Sequence, residues 1–261
     1  MTIFSSLYTG RLDRELGSAD STQLFTTARR KAAVNEGQEQ FVELTGCLRR
    51  RSTIVITGNT AEYDLNSTAV LGSSDFMRLL DEPVEVRYTD ASSVLTVLSG
   101  DDLVRRDVAW LDRNEPGWQV STVSTGVQLP SIYYIRPQGP AFFLGFWPTP
   151  STGSSASMTA ILSYVAQPVA MVTDATEPFT VNSSVRIDLR PYHQALVHYA
   201  ASQLEKFRRD TQASDRQLQV FLAWVQRFLT RLRRPGGETI SMARRYFGRV
   251  GGRVPPQDPR T

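Results

Sequence analysis

The sequence predicts an α+β protein. It reads as a helical bundle, built from an N-terminal helix and a C-terminal helical hairpin, with an inserted, mainly antiparallel β domain and extended terminal arms. Three observations predict this. Apolar residues recur at roughly helical spacing from Thr22 to Arg50. The pattern then changes to short β-branched and alternating runs between Ser52 and Val165. From Pro191 to Leu232 it returns to helical spacing. The expected divisions are an N-terminal arm at 1–19, a bundle from 20–51 and 189–234, a β-rich domain at 52–188, and a basic arm at 235–261.

Residues 1–19 show no strong periodicity and are expected to be extended. Asp20 or Ser21 can cap a helix starting near Leu24, with Leu24, Ala28, Val34, Phe41, Leu44 and Leu48 on its apolar side. Gly37 and Gly46 each weaken it by about 1 kcal/mol relative to Ala, so it needs tertiary packing. Arg49, Arg50 and Arg51 are expected at its C-terminus, where cations suit the helix dipole.

The expected strands begin with STIVIT at 52–57. A Gly58-Asn59 turn and AEYDL at 61–65 make it a hairpin. PVEVRY at 83–88 alternates as a half-buried strand. Asp101 or Asp102 starts a short amphipathic helix to Leu111. IYYIR at 132–136 and AFFLGFW at 141–147 flank a Pro-Gln-Gly-Pro turn, and MTAILSYV at 158–165 is a strand stopped by Pro168. Five to seven strands are expected in all.

In the last third, Pro191 suits a first helical position, with Leu196, Ala200, Leu204 and Phe207 marking one face. Ser214 with Gln217 has the form of a capping box for the next helix. There Leu218, Phe221, Val225, Phe228 and Leu232 repeat at 3-4-3-4 spacing and are the expected bundle-packing residues, widened by Leu222 and Leu229. The short link from Asp210 to Ser214 makes the pair an antiparallel hairpin.

The chain has 261 residues, 41% hydrophobic and 21% charged, enough for a core and unlike a disordered segment. No apolar run approaches the ~20 residues of a membrane span. The start, MTIFSSLYTGRLDREL, reaches charge too early for a signal-peptide core, so a chain made and kept in the cytoplasm is expected. Of the 29 basic residues only Lys31 and Lys206 are lysines. Arginine is the better residue for planar, multidentate interface contacts. From Arg227 onward nine arginines face two acids, a net +7, while the whole chain carries +3. An acidic body with a basic tail implies docking on something acidic.

Chemistry is sparse. The single Cys47 excludes an internal disulfide and a multi-cysteine zinc site, and it reads as a small core residue within the helix. His193 and His198 are five apart, too far in helical phase to share a metal, and read as surface or interface histidines. No nucleophile elbow, phosphate loop or zinc-binding His-Glu-x-x-His occurs. No enzyme, cofactor or metal site is therefore expected. In the tail, Arg244-Arg245-Tyr246-Phe247-Gly248-Arg249 interleaves arginine with aromatics. It reads as a single-strand nucleic-acid binder, a solvated charge run, or an arm anchored in a neighbour by Tyr246 and Phe247.

The order of motifs resembles the head-to-tail adaptor (connector) proteins of tailed bacteriophages. Ala33-Val34-Asn35-Glu36-Gly37 runs on to Phe41, and a hairpin closes on Tyr63-Asp64-Leu65. Tyr133-Tyr134-Ile135 and Phe146-Trp147-Pro148-Thr149-Pro150 resemble the family's strand pair. Leu162-Ser163-Tyr164 precedes Pro168, and Ala195 to Ala200 leads into Arg208-Arg209-Asp210. The resemblance covers about residues 22–232; Phe146-Trp147 and the long basic tail depart from it.

It implies a virion protein at the head–tail interface and a homo-oligomeric ring, typically dodecameric, beneath the portal. The ring would contact a tail tube, nozzle or other tail protein, and genome DNA would pass through the channel without specific binding. Charge suggests Arg233, Arg234, Arg244, Arg245, Tyr246, Phe247 and Arg249 as portal- or partner-binding residues. The alternatives are a nucleic-acid-binding protein using this tail and another neck component such as a tail terminator or nozzle.

Overall fold

The computed structural model describes residues 3–17, 25–119, 126–152, 157–181, 184–185 and 187–232. Mixed helix and sheet form two compact units, Met1–Gly46 with Pro168–Thr261, and Cys47–Gln167. In chain order, a π-helical turn at Ser6–Arg11 leads into α1 (Leu12–Leu16) and α2 (Thr27–Thr45). Then come β1 (Arg49–Ile56), β2 (Glu62–Asp64), α3 (Thr68–Leu71), β3 (Phe76–Thr89) and β4 (Leu95–Leu98). A 3-10 turn, Gly100–Asp102, precedes β5 (Val104–Arg105) and α4 (Val108–Asn114). The next strands are β6 (Val127–Gln128), β7 (Ile132–Gln138), β8 (Ala141–Trp147), β9 (Ser151–Thr152) and β10 (Ser157–Ala166). The short strands β11 (Thr180–Val181) and β12 (Ser184–Val185) precede a 3-10 segment, Ile187–Tyr192, then α5 (His193–Arg208) and α6 (Thr211–Leu232).

In the helical unit α5 is central, touching α1, α2 and α6. It can do so because Ala195, Ala200 and Ala201 are small and fully buried beside Leu196, Val197 and Leu204. Gly37 of α2 serves the same close approach. A Cβ there would sit 3.2 Å from the Leu196 carbonyl oxygen and from the Tyr199 side chain. The helix cost of Gly37 is thus offset by packing. Gly46 is the left-handed cap that ends α2, its amide bonding the Val42 carbonyl.

Several expectations are corrected here. Residues 6–16 are helical, not an extended arm: Phe4, Leu7, Leu12 and Leu16 recur on one side and are buried. The α2 cap is Thr26, whose side chain accepts from the Arg29 amide at 3.4 Å; Asp20 and Ser21 lie outside the described residues. Arg49, Arg50 and Arg51 open β1 instead of closing a helix, because Gly46 stops α2 first. Cys47 is buried as expected but lies after the helix. Pro191 falls in the 3-10 segment before α5. The α6 cap is Asp210, whose carboxylate accepts from the Ala213 amide at 2.9 Å. Ser214 is instead buried inside α6, donating to the Ser202 carbonyl at 2.9 Å. Arg209 makes the tight link in the left-handed region, at φ 63°.

The β unit holds a four-stranded sheet in order β1-β10-β3-β4, and a second in order β2-β8-β7-β5. Central β10 is almost wholly buried, which suits its continuous apolar run. β1 keeps Ile54 and Ile56 inward and exposes Arg49, Arg51, Thr53 and Val55. The expected 52–65 hairpin does not form: β1 pairs with β10 and β2 with β8. Alternation reveals a strand but not its partner. The expected 101–111 helix also starts later, with Asp107 capping α4 by accepting from the Trp110 amide at 2.6 Å.

β7 and β8 form the expected hairpin, turning at Gly139 with φ 59°. Tyr134 pairs with Gly145 across it, and its ring covers the glycine: a Cβ on Gly145 would lie 2.0 Å from Tyr134 Cζ. Tyr134 is 1% exposed and cannot swing away without opening a core that includes Leu111 and Trp118. Gly145→Ala is therefore expected to destabilise the β unit by about 1–3 kcal/mol or more through overpacking. Thermal denaturation followed by circular dichroism checks it.

Candidate functional site

The residues expected to pack the bundle lie along α6 at different depths. Phe221, Val225 and Phe228 are buried and Leu218 is half-buried. Leu232 is the exception, at 43% exposure. The 22-residue α6 outruns its 16-residue partner α5, so its last turn lies beyond the start of α5. Leu229 is buried instead. Phe221 and Phe228 meet Phe41 of α2 with ring centroids 6.4 and 5.7 Å apart, and Tyr192 joins Phe41 at 5.8 Å and Phe228 at 4.9 Å. Phe179 completes this aromatic hub at 5.4 Å from Phe41.

The Ala33–Gly37 motif clamps the chain at its return into this unit. Ala33 and Val34 are buried. The Asn35 amide donates to the Met171 carbonyl at 3.2 Å and accepts from the Met171 amide at 2.9 Å. One turn on, Gln38 donates to the Val169 carbonyl and accepts from the Phe179 amide at 2.7 Å. Tyr199 donates to Glu36 at 2.8 Å; burial, with that carboxylate beside it, pushes its phenol well above the usual range. Near the N-terminus, Tyr8 and Lys31 both reach the Asp174 carboxylate at 2.8 Å, and these bonds, Lys31 first, hold its pKa below the usual carboxylate range.

The two histidines have different fates. His198 lies between α1 and α6, with Nδ1 2.7 Å from Gln217 Oε1 and 3.8 Å from Glu15 Oε2. His193 is fully buried, correcting the expectation of a surface or interface histidine. Its first-turn position faces Phe179, 5.7 Å away, and neither ring nitrogen has a hydrogen-bond partner among the described residues. Burial, helped by the Arg11 and Arg190 charges, lowers its pKa to about 4.

In the β unit, Arg136 and Tyr134 converge on the Glu62 carboxylate. Arg50, Ser73 and Tyr164 converge on Asp75. Each carboxylate is held by an arginine and at least one hydroxyl, which ties separate segments of the β unit together, and Glu62, Tyr134 and Arg136 also line a cleft with Val108 and Trp118. Among the described residues no group of three or more His, Cys, Asp or Glu could hold a metal ion, and no helix is long and apolar enough to cross a membrane.

Two apolar surface features lie among the described residues. An open groove on α6 is lined by Pro191, Tyr192, Ala223, Trp224, Arg227 and Arg231, with the Arg227 guanidinium 5.2 Å from the Trp224 ring. On the β unit, Val94, Leu95 and Val97 are 58%, 55% and 43% exposed along the edge strand β4. The sequence-nominated binding residues Arg233, Arg234, Arg244, Arg245, Tyr246, Phe247 and Arg249 lie outside the described residues. Neither surface feature was singled out from sequence; the run VLTV at 94–97, with no charge to break it, was the available signal.

A two-unit fold whose buried polar groups hold elements together, and whose distinctive surfaces are apolar or arginine-rich, has the character of an assembly component. The chain belongs to the SU10 adaptor protein family, whose model matches residues 2–252. This is a family of phage head-to-tail adaptors, structural proteins of the virion that interact with portal and tail components. No curated protein matches the chain.

Proposed function

We propose that this protein forms a homo-oligomeric ring beneath the portal, joins it to the tail and leaves a channel for DNA. The observation that carries this reading is the family match across nearly the whole chain, including both units. In this reading the helical unit builds the ring wall as a bundle, and the β unit is an insertion that faces neighbouring subunits or the next tail component. Two units with separate cores offer two surfaces that can be matched to different partners. The basic segment after Leu232 is the arm that docks on an acidic portal surface, with Tyr246 and Phe247 as anchors and Arg233, Arg234, Arg244, Arg245 and Arg249 as charge partners.

Truncation after Leu232 tests the arm directly. Portal binding by the truncated chain is expected to fall at least tenfold in mass photometry, with ring formation by electron microscopy unchanged. Undiminished portal binding would remove the arm from the mechanism. Loss of salt-sensitive DNA binding in the same truncation, with portal binding intact, would favour the nucleic-acid reading instead.

A further inference from the structure

We infer that the two edges of the β unit's larger sheet, β1 and β4, are complementary and pair between adjacent copies of this chain. The inference rests on the ring reading above and names the surface through which neighbouring copies meet.

The sheet order β1-β10-β3-β4 leaves β1 and β4 as its edges. Ala166 donates to the Leu48 carbonyl at 2.8 Å, so the even residues of β1 bond inward to β10. Its odd residues, Arg51, Thr53 and Val55 among them, aim their backbone groups outward. Likewise Asp90 donates to the Val94 carbonyl at 3.1 Å, so the even residues of β4 bond to β3 and Leu95 and Val97 aim outward. No described residue takes up these outward groups.

The side chains of the same residues share one face. The cross-sheet row runs Val55, Thr159, Arg87, Val97. An incoming β4 therefore meets β1 with hydrogen-bonding residues opposite each other and faces matched. The strands of this sheet alternate in direction, so joining β4 to a neighbour's β1 continues the antiparallel ladder.

The exposed apolar groups fit one register. Setting Leu95 opposite Val55 joins exposures of 55% and 70%. It places Val97 opposite Thr53 and Leu98 opposite Ser52. Arg51 is engaged by Glu85 of its own sheet at 3.1 Å. β4 carries no proline or charge of the kind that protects free edges. Pairing opposite edges is heterologous, which does not stop at a dimer and gives a ring when the rotation between copies closes.

Cysteines at Ser52 and Leu98 test the register. The two face each other in a non-hydrogen-bonded pair, about 4.5 Å between Cα atoms, within disulfide range. Within one chain they stand at opposite edges, about 14 Å apart, and cannot join. The S52C/L98C chain should form a ladder of covalent oligomers on mild oxidation, and either single variant should not. As a second measure, L95K/V97K should weaken self-association at least tenfold with its thermal unfolding preserved. Rings that persist in L95K/V97K, or rings that never cross-link above the single variants, overturn the edge pairing and leave the adaptor reading standing. A wild-type chain that stays monomeric both alone and with portal overturns both.

Discussion

Phe41→Ala is expected to cost about 3–5 kcal/mol, the range for truncating a large aromatic in a core that cannot collapse around it. Phe41 is fully buried, and its ring meets those of Phe179, Tyr192, Phe221 and Phe228. These neighbours come from α6, from the 3-10 segment and from the chain leading to β11, so the cavity would be lined by elements that are themselves held by Phe41. Urea denaturation followed by tryptophan fluorescence reads the loss selectively. Trp224 is the only tryptophan of the helical unit; Trp110, Trp118 and Trp147 belong to the β unit. Phe41→Leu, which keeps most of the volume, should lose less than half as much.

Acid is expected to weaken the helical unit through His193. In the folded chain its pKa is lowered to about 4, chiefly by burial, while the unfolded chain protonates near 6.5. Between those values the unfolded state binds the extra proton and the folded state does not. The contribution of His193 is thus complete above pH 6.5, declines as pH falls, and is lost once pH passes below about 4. At about 1.4 kcal/mol per pH unit over that window the loss totals about 3 kcal/mol. Urea titrations at pH 7.0, 5.5 and 4.5 should show the decline, and His193→Leu should flatten it. An unchanged slope in the variant would assign the acid sensitivity to carboxylates such as Asp174, whose pKa is likewise held below its usual value.

Much of the secondary structure was legible because its signals are local. The stripe through Phe221, Val225 and Phe228 is a property of one helix. The run at 158–165 and the β7–β8 hairpin announce themselves by composition and by a glycine turn. The first helix was read at the wrong limits because Thr26 and Gly46 are weaker punctuation than the arginine cluster that follows. The N-terminal helical turns were missed because Gly10 and polar residues interrupt the apolar positions, and their burial comes from α5, far along the chain. The nominated tail residues rest on charge alone. The candidate surface at β4 carried only a weak signal, the uncharged run VLTV, which reads the same whether exposed or buried.

By itself, the sequence determined the class of each long element, the scarcity of groups for catalysis, the basic excess after Arg227, and a motif order that points to the adaptor family. Tertiary structure alone decided that STIVIT pairs with a strand more than a hundred residues away instead of with its neighbour AEYDL. It also decided that Gly37 is a contact surface, that His193 is buried with no hydrogen-bond partner among the described residues, and that β1 and β4 are the edges of their sheet. The division has one physical cause. Helical and strand periods are set by neighbours within a few residues, whereas pairing, burial and pKa depend on groups that meet only when distant segments fold together.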